Sequence, residues 1–339
     1  MEETINGIWC DLAQKIQSDG SHIENRVYRR LDLEKDNGIR LGVSIPGNKK
    51  ELLIELTDLH RHGFIDPKWA GLMIKAIDLD IHKEKIPHLM LHILRREHES
   101  VFLLVCADIV VTLMNVVRPE QRAIELNNCL DKWSRFFNKH GFDGLGTEAQ
   151  RGLFGELFWM QRIINAGMNK KKAVDAWQGC LGAEHDFIYQ NGVLEVKTTL
   201  SKEPRKVKIN SERQLDNRAF EKMFLYVLSL QALPSGGLTL PSLIANIRFS
   251  LSNNMTAKIL FEHSLHEAGY IDSHDYIYKD NYIIKKEESF LVRDGFPRII
   301  NIPSGTGDLS YSVTISSCYD HLIDLDVVKS FFIGGDNSA

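Results

Sequence analysis

Residues 185–199 read HDFIYQNGVLEVKTT, the pattern of a short β-hairpin that carries polar residues at alternate positions of both arms. The dipeptide Asn191–Gly192 is a strong signal for a two-residue hairpin loop. With these two residues as the loop, the antiparallel ladder places Asp186 opposite Lys197. Because side chains alternate between the two faces of a strand, Glu195 shares that face with them. The opposite face is apolar and carries Phe187, Tyr189, Leu194 and Val196.

The polar face of the predicted hairpin has the residue types of a metal-dependent hydrolase. Two neighbouring carboxylates repel each other when both are ionised, and a divalent cation relieves that repulsion. Mg²⁺ is held by few carboxylates together with water and phosphate oxygens, so Asp186, Glu195 and the backbone carbonyl of Val196 are candidate ligands. Lys197 would position or deprotonate the attacking water, or stabilise the transition state of a phosphodiester. The alternative is an ordinary surface pair of Asp and Lys across two strands.

A predicted helix upstream of the hairpin carries a carboxylate among apolar residues. The segment GLFGELFWMQRIINA (152–166) is apolar on nearly all sides, which indicates a buried helix. Glu156 in that setting needs a partner or a metal. It is therefore a candidate accessory catalytic residue, and the alternative is a carboxylate at the helix rim paired with an Arg or Lys.

Two features downstream of the hairpin also fit a phosphate substrate. The segment KTTLSKEPRKVK (197–208) is strongly basic, which suits a nucleic-acid backbone, although a solvated loop has the same composition. Its candidate nucleic-acid-binding residues are Lys202, Arg205, Lys206 and Lys208. Gln214, in a short predicted helix after Ser211, is a candidate for contacting substrate or orienting the lysine. A capping box formed with Ser211 would equally explain this glutamine.

The chain is predicted to have two parts on either side of the glycine-rich segment GFDGLG (141–146). Residues 1–140 are predicted to be an α+β region, with helices at 7–17, 97–116 and 119–139 and strands at 38–45, 51–56 and 88–94. Residues 147–335 are predicted to be a layered α/β domain. Its first helix should start at a capping box, Thr147–Gln150, and end before Gly167. The apolar run MFLYVLSL (223–230) predicts a central strand covered on both faces, and the tail predicts strands at 276–279, 281–292, 297–302 and 310–316.

The composition indicates a soluble cytoplasmic protein without a disulfide framework. The chain has 339 residues, a net charge of −4 and five cysteines, with no CxxC pair. The start of the sequence lacks the pattern of a signal peptide, and the longest apolar run, 101–114, is too short to span a membrane. The sequence has no P-loop motif and no histidine cluster that would indicate a different chemistry. His60 and His62 suit a surface strand or turn.

These motifs together resemble a known family. An Asp followed by E-x-K, with a preceding helix bearing Glu and a following helix bearing Gln, resembles the PD-(D/E)xK nuclease superfamily. The phrases GLFGELFWM, W-x-G (Trp177 and Gly179), HDF, EVKTT, INSERQL and SFLVRDGFPRI resemble more closely the family DUF4420. The residue before Asp186 is His185 instead of the proline for which the superfamily is named.

The resemblance implies a restriction-endonuclease-like core, with a central mixed sheet flanked by helices and Mg²⁺- or Mn²⁺-dependent cleavage of DNA. It implies that Asp186 and Glu195 are metal ligands, that Lys197 is the catalytic lysine, and that Glu156 and Gln214 are accessory residues. It also implies a bacterial restriction or phage-defence role beside ATPase or methyltransferase subunits, and a homodimer would suit double-strand cleavage. The alternatives are a non-catalytic DNA-binding or scaffold subunit and an RNA nuclease.

Overall fold

A computed structural model provides the structure of this chain. It describes residues 1–19, 26–32, 38–45, 47–56, 69, 71–116, 118, 121–200, 202–303, 305 and 309–334. The chain divides into two compact units, Met1–Gly144 and Leu145–Ala339. The division falls inside the glycine-rich segment 141–146. His60, His62 and Pro119, which begins the third predicted helix, lie outside the described residues.

The first unit combines three helices with a five-stranded antiparallel sheet. The helices are α1 (Glu2–Asp19), α2 (Glu99–Met114) and α3 (Arg122–His140). The strands are β1 (Arg26–Arg30), β2 (Ile39–Ser44), β3 (Lys49–Glu55), β4 (Leu72–Ile81) and β5 (Glu84–Ile93), in the spatial order β1-β2-β3-β5-β4. The three predicted helices and the three predicted strands are present. Strands β1 and β4 were not predicted, because three of the five residues of β1 are arginines and the apolar residues of β4 change from one face to the other along the strand.

Packing of α1 on the sheet and on α2 gives the first unit its core. The indole of Trp9 stacks on Phe102 with a centroid distance of 5.4 Å, and its N–H donates to the Glu51 carbonyl at 3.1 Å. A buried indole with a satisfied donor is an energetically favourable anchor for a helix. This explains why the amphipathic pattern at the start of the sequence becomes a helix with one buried face.

The second unit is built around a mixed five-stranded sheet. Its helices are α4 (Thr147–Asn165), α5 (Lys170–Asp175), α6 (Leu240–Ser250), α7 (Met255–Glu267) and α8 (Leu325–Gly334). Its strands are β6 (Phe187–Tyr189), β7 (Gly192–Thr199), β8 (Lys206–Ile209), β9 (Lys222–Leu233), β10 (Asn281–Leu291), β11 (Tyr311–Thr314) and β12 (Leu322–Ile323). The order is β12-β10-β9-β7-β6, in which β7 and β9 are parallel and the other pairs are antiparallel. Strands β8 and β11 form a separate two-stranded sheet.

The two faces of the mixed sheet are covered differently. Helices α4 to α8 pack on the face that carries Leu194, Val196 and Tyr226. The small β8–β11 sheet and nearby 3-10 turns cover the face that carries Val193 and Leu225. Residues 223–230 of β9 are all buried, which confirms the prediction of a strand covered on both faces. The predicted mixed α/β fold class is likewise confirmed.

Two segments of the predicted tail differ from expectation. Residues 281–291 and 311–314 are strands, but 276–279 and 297–302 are not. A segment of alternating apolar residues forms a strand only where the edge of a neighbouring strand can hydrogen-bond with it. Both edges of β10 are already paired, with β9 and β12.

Helix α4 approaches the sheet closely through a glycine. An ideal Cβ built on Gly155 would lie 2.4 Å from Thr198 Cγ2 and 3.2 Å from Val196 Cγ1, so only glycine permits this distance between helix and strand. The helix ends as predicted, with Gly167 in the left-handed region at φ +105°. The predicted capping box is wrong, because the N-cap is Gly146 and the Gln150 amide donates to the Leu145 carbonyl at 2.7 Å.

Candidate active site

The hairpin that carries the candidate residues is formed by β6 and β7. Its predicted register is wrong by two residues, since Tyr189 pairs with Gly192 and Phe187 pairs with Leu194. The loop is therefore Gln190 and Asn191, with Gln190 in the left-handed region at φ +51°. A two-residue shift preserves the face of every side chain, so Phe187 and Leu194 still point into the helical core.

Glu195 and Lys197 form a buried ion pair on the other face of β7. The Lys197 Nζ lies 2.7 Å from Glu195 Oε1, and the two side chains are 13% and 1% exposed. Within the described part of the chain, Glu195 Oε2 has no hydrogen-bond partner. A buried carboxylate oxygen without a donor is costly, which points to a ligand at this position.

Gln214 fixes the position of the Lys197 ammonium. The amide Oε1 accepts a hydrogen bond from Lys197 Nζ at 3.1 Å and a second from the Asn210 N–H at 2.9 Å. The glutamine lies in a 3-10 turn, Glu212–Leu215, at whose start the Ser211 hydroxyl accepts from the Arg213 N–H. The predicted helix is thus a single short turn, and the glutamine side chain orients the lysine and does not bond to the N–H of Ser211.

Asp186 lies immediately before β6 and is held from two sides. Its Oδ2 accepts a hydrogen bond from the Val196 N–H at 2.7 Å. Its main-chain carbonyl accepts from the N–H groups of Gln178 at 2.9 Å and Gly179 at 3.0 Å. The aspartate is therefore fixed to β7 by its side chain and to the preceding loop by its backbone.

Glu156 reaches the same region from helix α4. Its Oε2 accepts a hydrogen bond from the indole N–H of Trp177 at 2.6 Å. An ideal Cβ built on Gly179 would lie 2.8 Å from Asp186 Oδ1 and 3.4 Å from Glu156 Oε2. One point beside Gly179 is thus close to both carboxylates, and the absence of a side chain at Gly179 lets Asp186 pack this closely against the loop.

Burial raises the pKa values of the three carboxyl groups, and the charge of Asp186 adds to this shift for Glu156 and Glu195. Burial, together with the charge of Asp186, raises the pKa of Glu156 to about 8. Burial raises the pKa of Asp186 to about 6, although Lys197 and the Val196 N–H oppose this shift. Burial and Asp186 also raise the pKa of Glu195 well above its ordinary value. Burial opposes the charge of Lys197, but Glu195 and Asp186 outweigh it and raise the pKa of the lysine.

The residues of this site fit a hard divalent cation. Three carboxyl groups lie near a single ammonium, and burial raises their pKa values, so ionising all three without a further cation is unfavourable. The unpartnered oxygen of Glu195 is consistent with a bound ion. Ligand atoms of the three carboxylates do not all lie within 4.8 Å of one another.

A second group of possible metal ligands lies in the first unit, and its ligand atoms are close together. In the described residues of the first unit, Glu97, His98 and Asp143 offer ligand atoms within 4.8 Å of one another. His98 Nε2 lies 2.8 Å from Asp143 Oδ1, and the aspartate side chain is 78% exposed. This histidine–aspartate pair is explained by its own hydrogen bond.

The four basic residues that were predicted to bind nucleic acid are not equivalent. Lys202, Lys206 and Lys208 are exposed, the last two on the outer face of β8. Arg205 is only 11% exposed and pairs with Glu288, which is 3% exposed. The same guanidinium donates to Ser229, Glu203 and Tyr319. These contacts occupy the Arg205 guanidinium in holding its loop on the sheet, whereas the three lysines are exposed.

Trp177 and Gly179 are the residues of the site whose roles were not predicted from the sequence. They were visible only as a W-x-G phrase, because their contacts join segments that are distant in sequence. His185, which replaces the proline of the superfamily name, is buried with its ring edge-on to Phe220 at 5.5 Å. Burial lowers the pKa of His185, which is consistent with a neutral packing residue.

None of the described helices is long and apolar enough to cross a membrane.

Comparison with known proteins gives a family for the whole arrangement. No curated protein and no solved structure matches the chain. A family model described as "Putative PD-(D/E)XK family member, (DUF4420)" matches residues 5–316, which cover most of each unit and every candidate residue above. This match, over most of the chain, shows that the protein belongs to the DUF4420 family.

Proposed function

We propose that this protein is a metal-dependent nuclease that hydrolyses phosphodiester bonds of DNA. The observation that carries the proposal is the buried pair of Glu195 and Lys197, oriented by Gln214 and adjoining Asp186. An ion pair that only stabilises the fold would be expected to have hydrogen-bond partners for both carboxylate oxygens, whereas Oε2 of Glu195 is buried without one. The arrangement instead supports a site that is completed by a cation and a phosphate.

The proposed ligands of the cation are Asp186, Glu195 and the main-chain carbonyl of Val196. When bound, Mg²⁺ or Mn²⁺ would neutralise the carboxylates and stabilise negative charge on the phosphate. Asp186 is suited to this role because its other oxygen is already fixed by the Val196 N–H. Glu156 is the proposed third carboxylate, held at the edge of the site by Trp177.

Lys197 is the proposed catalytic cation. Its ammonium is confined between Glu195 and Gln214, so its remaining N–H donor has a fixed direction. A preorganised cation of this kind can hold the attacking water and stabilise the charge that develops on the phosphoryl oxygens. Gln214 contributes by orientation, since its oxygen is itself fixed by the Asn210 N–H.

DNA is the proposed substrate, and the exposed lysines Lys202, Lys206 and Lys208 are the proposed contacts to its phosphates. Membership of DUF4420 supports the wider proposal of a cytoplasmic subunit of a bacterial restriction or phage-defence system. Partner ATPase or methyltransferase subunits and a homodimer belong to that wider proposal. They are tested by co-purification and by the mass of the protein in solution.

The test is a cleavage assay with supercoiled plasmid, linear duplex, single-stranded DNA and RNA, each with Mg²⁺, Mn²⁺ or EDTA. Asp186→Asn and Lys197→Met should abolish metal-dependent cleavage while preserving the fold. Lys329→Met is the matched control, because this lysine lies on α8 and pairs with Asp326. Cleavage that persists in Lys197→Met would refute the assignment. Cleavage of RNA alone would replace DNA as the substrate, and tight DNA binding without cleavage would indicate a scaffold subunit.

A further inference from the structure

The W-x-G phrase of the sequence joins the hairpin to helix α4 at the site. The segment around Trp177 runs beside β6, because the Ile188 N–H donates to the Ala176 carbonyl at 2.8 Å and Gln178 donates to Asp186. Trp177 also forms an isolated β-bridge with Phe187. Its backbone is thereby fixed to the strand that follows Asp186, while its indole reaches the carboxylate of Glu156.

The indole can act on Glu156 in only one way. Trp Nε1 is a donor without acceptor capacity, so it binds one carboxylate oxygen and leaves the other for a different partner. The donor–acceptor distance of 2.6 Å is that of a short, strong hydrogen bond. The indole is 1% exposed, so water cannot readily replace it as the donor to Glu156 Oε2.

We propose that Trp177 is a positioning residue that orients Glu156 toward the metal position, and that Gly179 lets Asp186 pack closely against the same loop. The inference rests on the proposed function, since it assigns a task within that metal site. It gives a physical reason for the spacing of the phrase. The tryptophan supplies the donor, and the glycine two residues later removes the side chain that would contact Asp186 Oδ1.

A tryptophan on the same helix as Glu156 provides a matched control. Trp159 is fully buried in the same core, but its indole N–H has no acceptor within the described part of the chain. Trp177→Phe and Trp159→Phe therefore remove similar aromatic volume from one unit. Only the first of these substitutions removes a hydrogen bond to Glu156.

The experiment is a calorimetric titration of the metal-free full-length protein with Mn²⁺ alone. Loss of a residue that orients a metal ligand typically weakens metal affinity, and Trp177→Phe should raise the Kd about 10-fold or more. Trp159→Phe should leave the Kd close to that of the wild type. In a Glu156→Ala background, adding Trp177→Phe should change the Kd no further, because no carboxylate remains to be oriented.

The outcomes separate this inference from the proposed function. Equal Mn²⁺ affinities of Trp177→Phe and Trp159→Phe, with wild-type binding abolished by Asp186→Asn, would overturn the role of Trp177 and leave the nuclease site intact. A wild-type protein that binds no Mn²⁺ would overturn both. If Trp177→Phe does not fold, the inference is tested by comparing the indole ¹⁵N resonances of the wild type with those of Glu156→Ala. The Trp177 resonance should shift strongly while that of Trp159 stays nearly constant, and an unshifted Trp177 resonance would overturn the inference.

Discussion

Substitution of Gly155 by alanine tests whether the close approach of α4 to β7 positions the site. The new Cβ would lie 2.4 Å from Thr198 Cγ2, more than 1 Å inside an ordinary contact of about 3.5–4.0 Å. Thr198 is β-branched and has few alternative rotamers, so the helix has to move. Overpacking of this kind costs about 1–3 kcal/mol, against which alanine gains about 1 kcal/mol of helix propensity.

Gly152→Ala is the matched control, since Gly152 lies in the same helix and its Cβ would meet nothing within 4 Å. It should gain the same helix propensity without the clash. The free energies of unfolding of the two variants should therefore differ by about 1–3 kcal/mol in urea denaturation. Glu156 adjoins Gly155, and a displacement of about 1 Å can lower a rate about 100-fold, so DNA cleavage should fall as well.

A second substitution identifies the atom that is responsible. Thr198→Ser removes the Cγ2 methyl group, so the double variant with Gly155→Ala should recover most of the lost stability and cleavage. Contacting residues of this kind show non-additive energies, which the double-mutant cycle measures directly. The reasoning would be refuted if Gly155→Ala stabilised the protein as much as Gly152→Ala, or if Thr198→Ser gave no recovery.

Three further predictions concern the charges of the site. Gln214→Leu should lower kcat about 10–100-fold with little change in the thermal midpoint, because Lys197 loses the acceptor that orients it; an unchanged kcat would contradict this role. The pKa of Glu156 is about 8 in the folded protein and 4.5 in the unfolded protein. Its contribution to the stability of the metal-free protein should therefore be fully present below pH 4.5 and should be lost as the pH rises through 8. Glu156 alone should contribute about 1.4 kcal/mol per pH unit to the slope, in addition to the contributions of Asp186 and Glu195, so the profile should be shallower in Glu156→Gln. A wild-type profile no steeper than that of the variant would contradict the raised pKa. Lys208→Ala should reduce the salt dependence of DNA binding by about one counterion without affecting stability. Arg205→Ala should cost about 1.5–3 kcal/mol of stability, because the buried Glu288 loses its arginine and keeps Lys286 as a partner. Thermal unfolding and salt titrations of both variants distinguish a phosphate contact from a structural ion pair.

The sequence by itself determined which side chains share a face. Strand alternation placed Asp186, Glu195 and Lys197 together, and this held although the predicted register was wrong by two residues. The period of a strand is two, so a two-residue error changes the partner of each residue and leaves its face unchanged. The apolar run of β9 and the buried helix that carries Glu156 were predictable for a related reason, since continuous hydrophobic sequence indicates burial.

The tertiary structure alone decided how those side chains are held. The bond from Trp177 to Glu156 spans 21 residues, that from Lys197 to Gln214 spans 17, and the pair of Arg205 and Glu288 spans 83. No local pattern encodes such contacts, because they depend on how α4, the hairpin and β10 pack in space. The sequence therefore supplied the candidate residues of the site, and packing decided which of them face one another and which are structural.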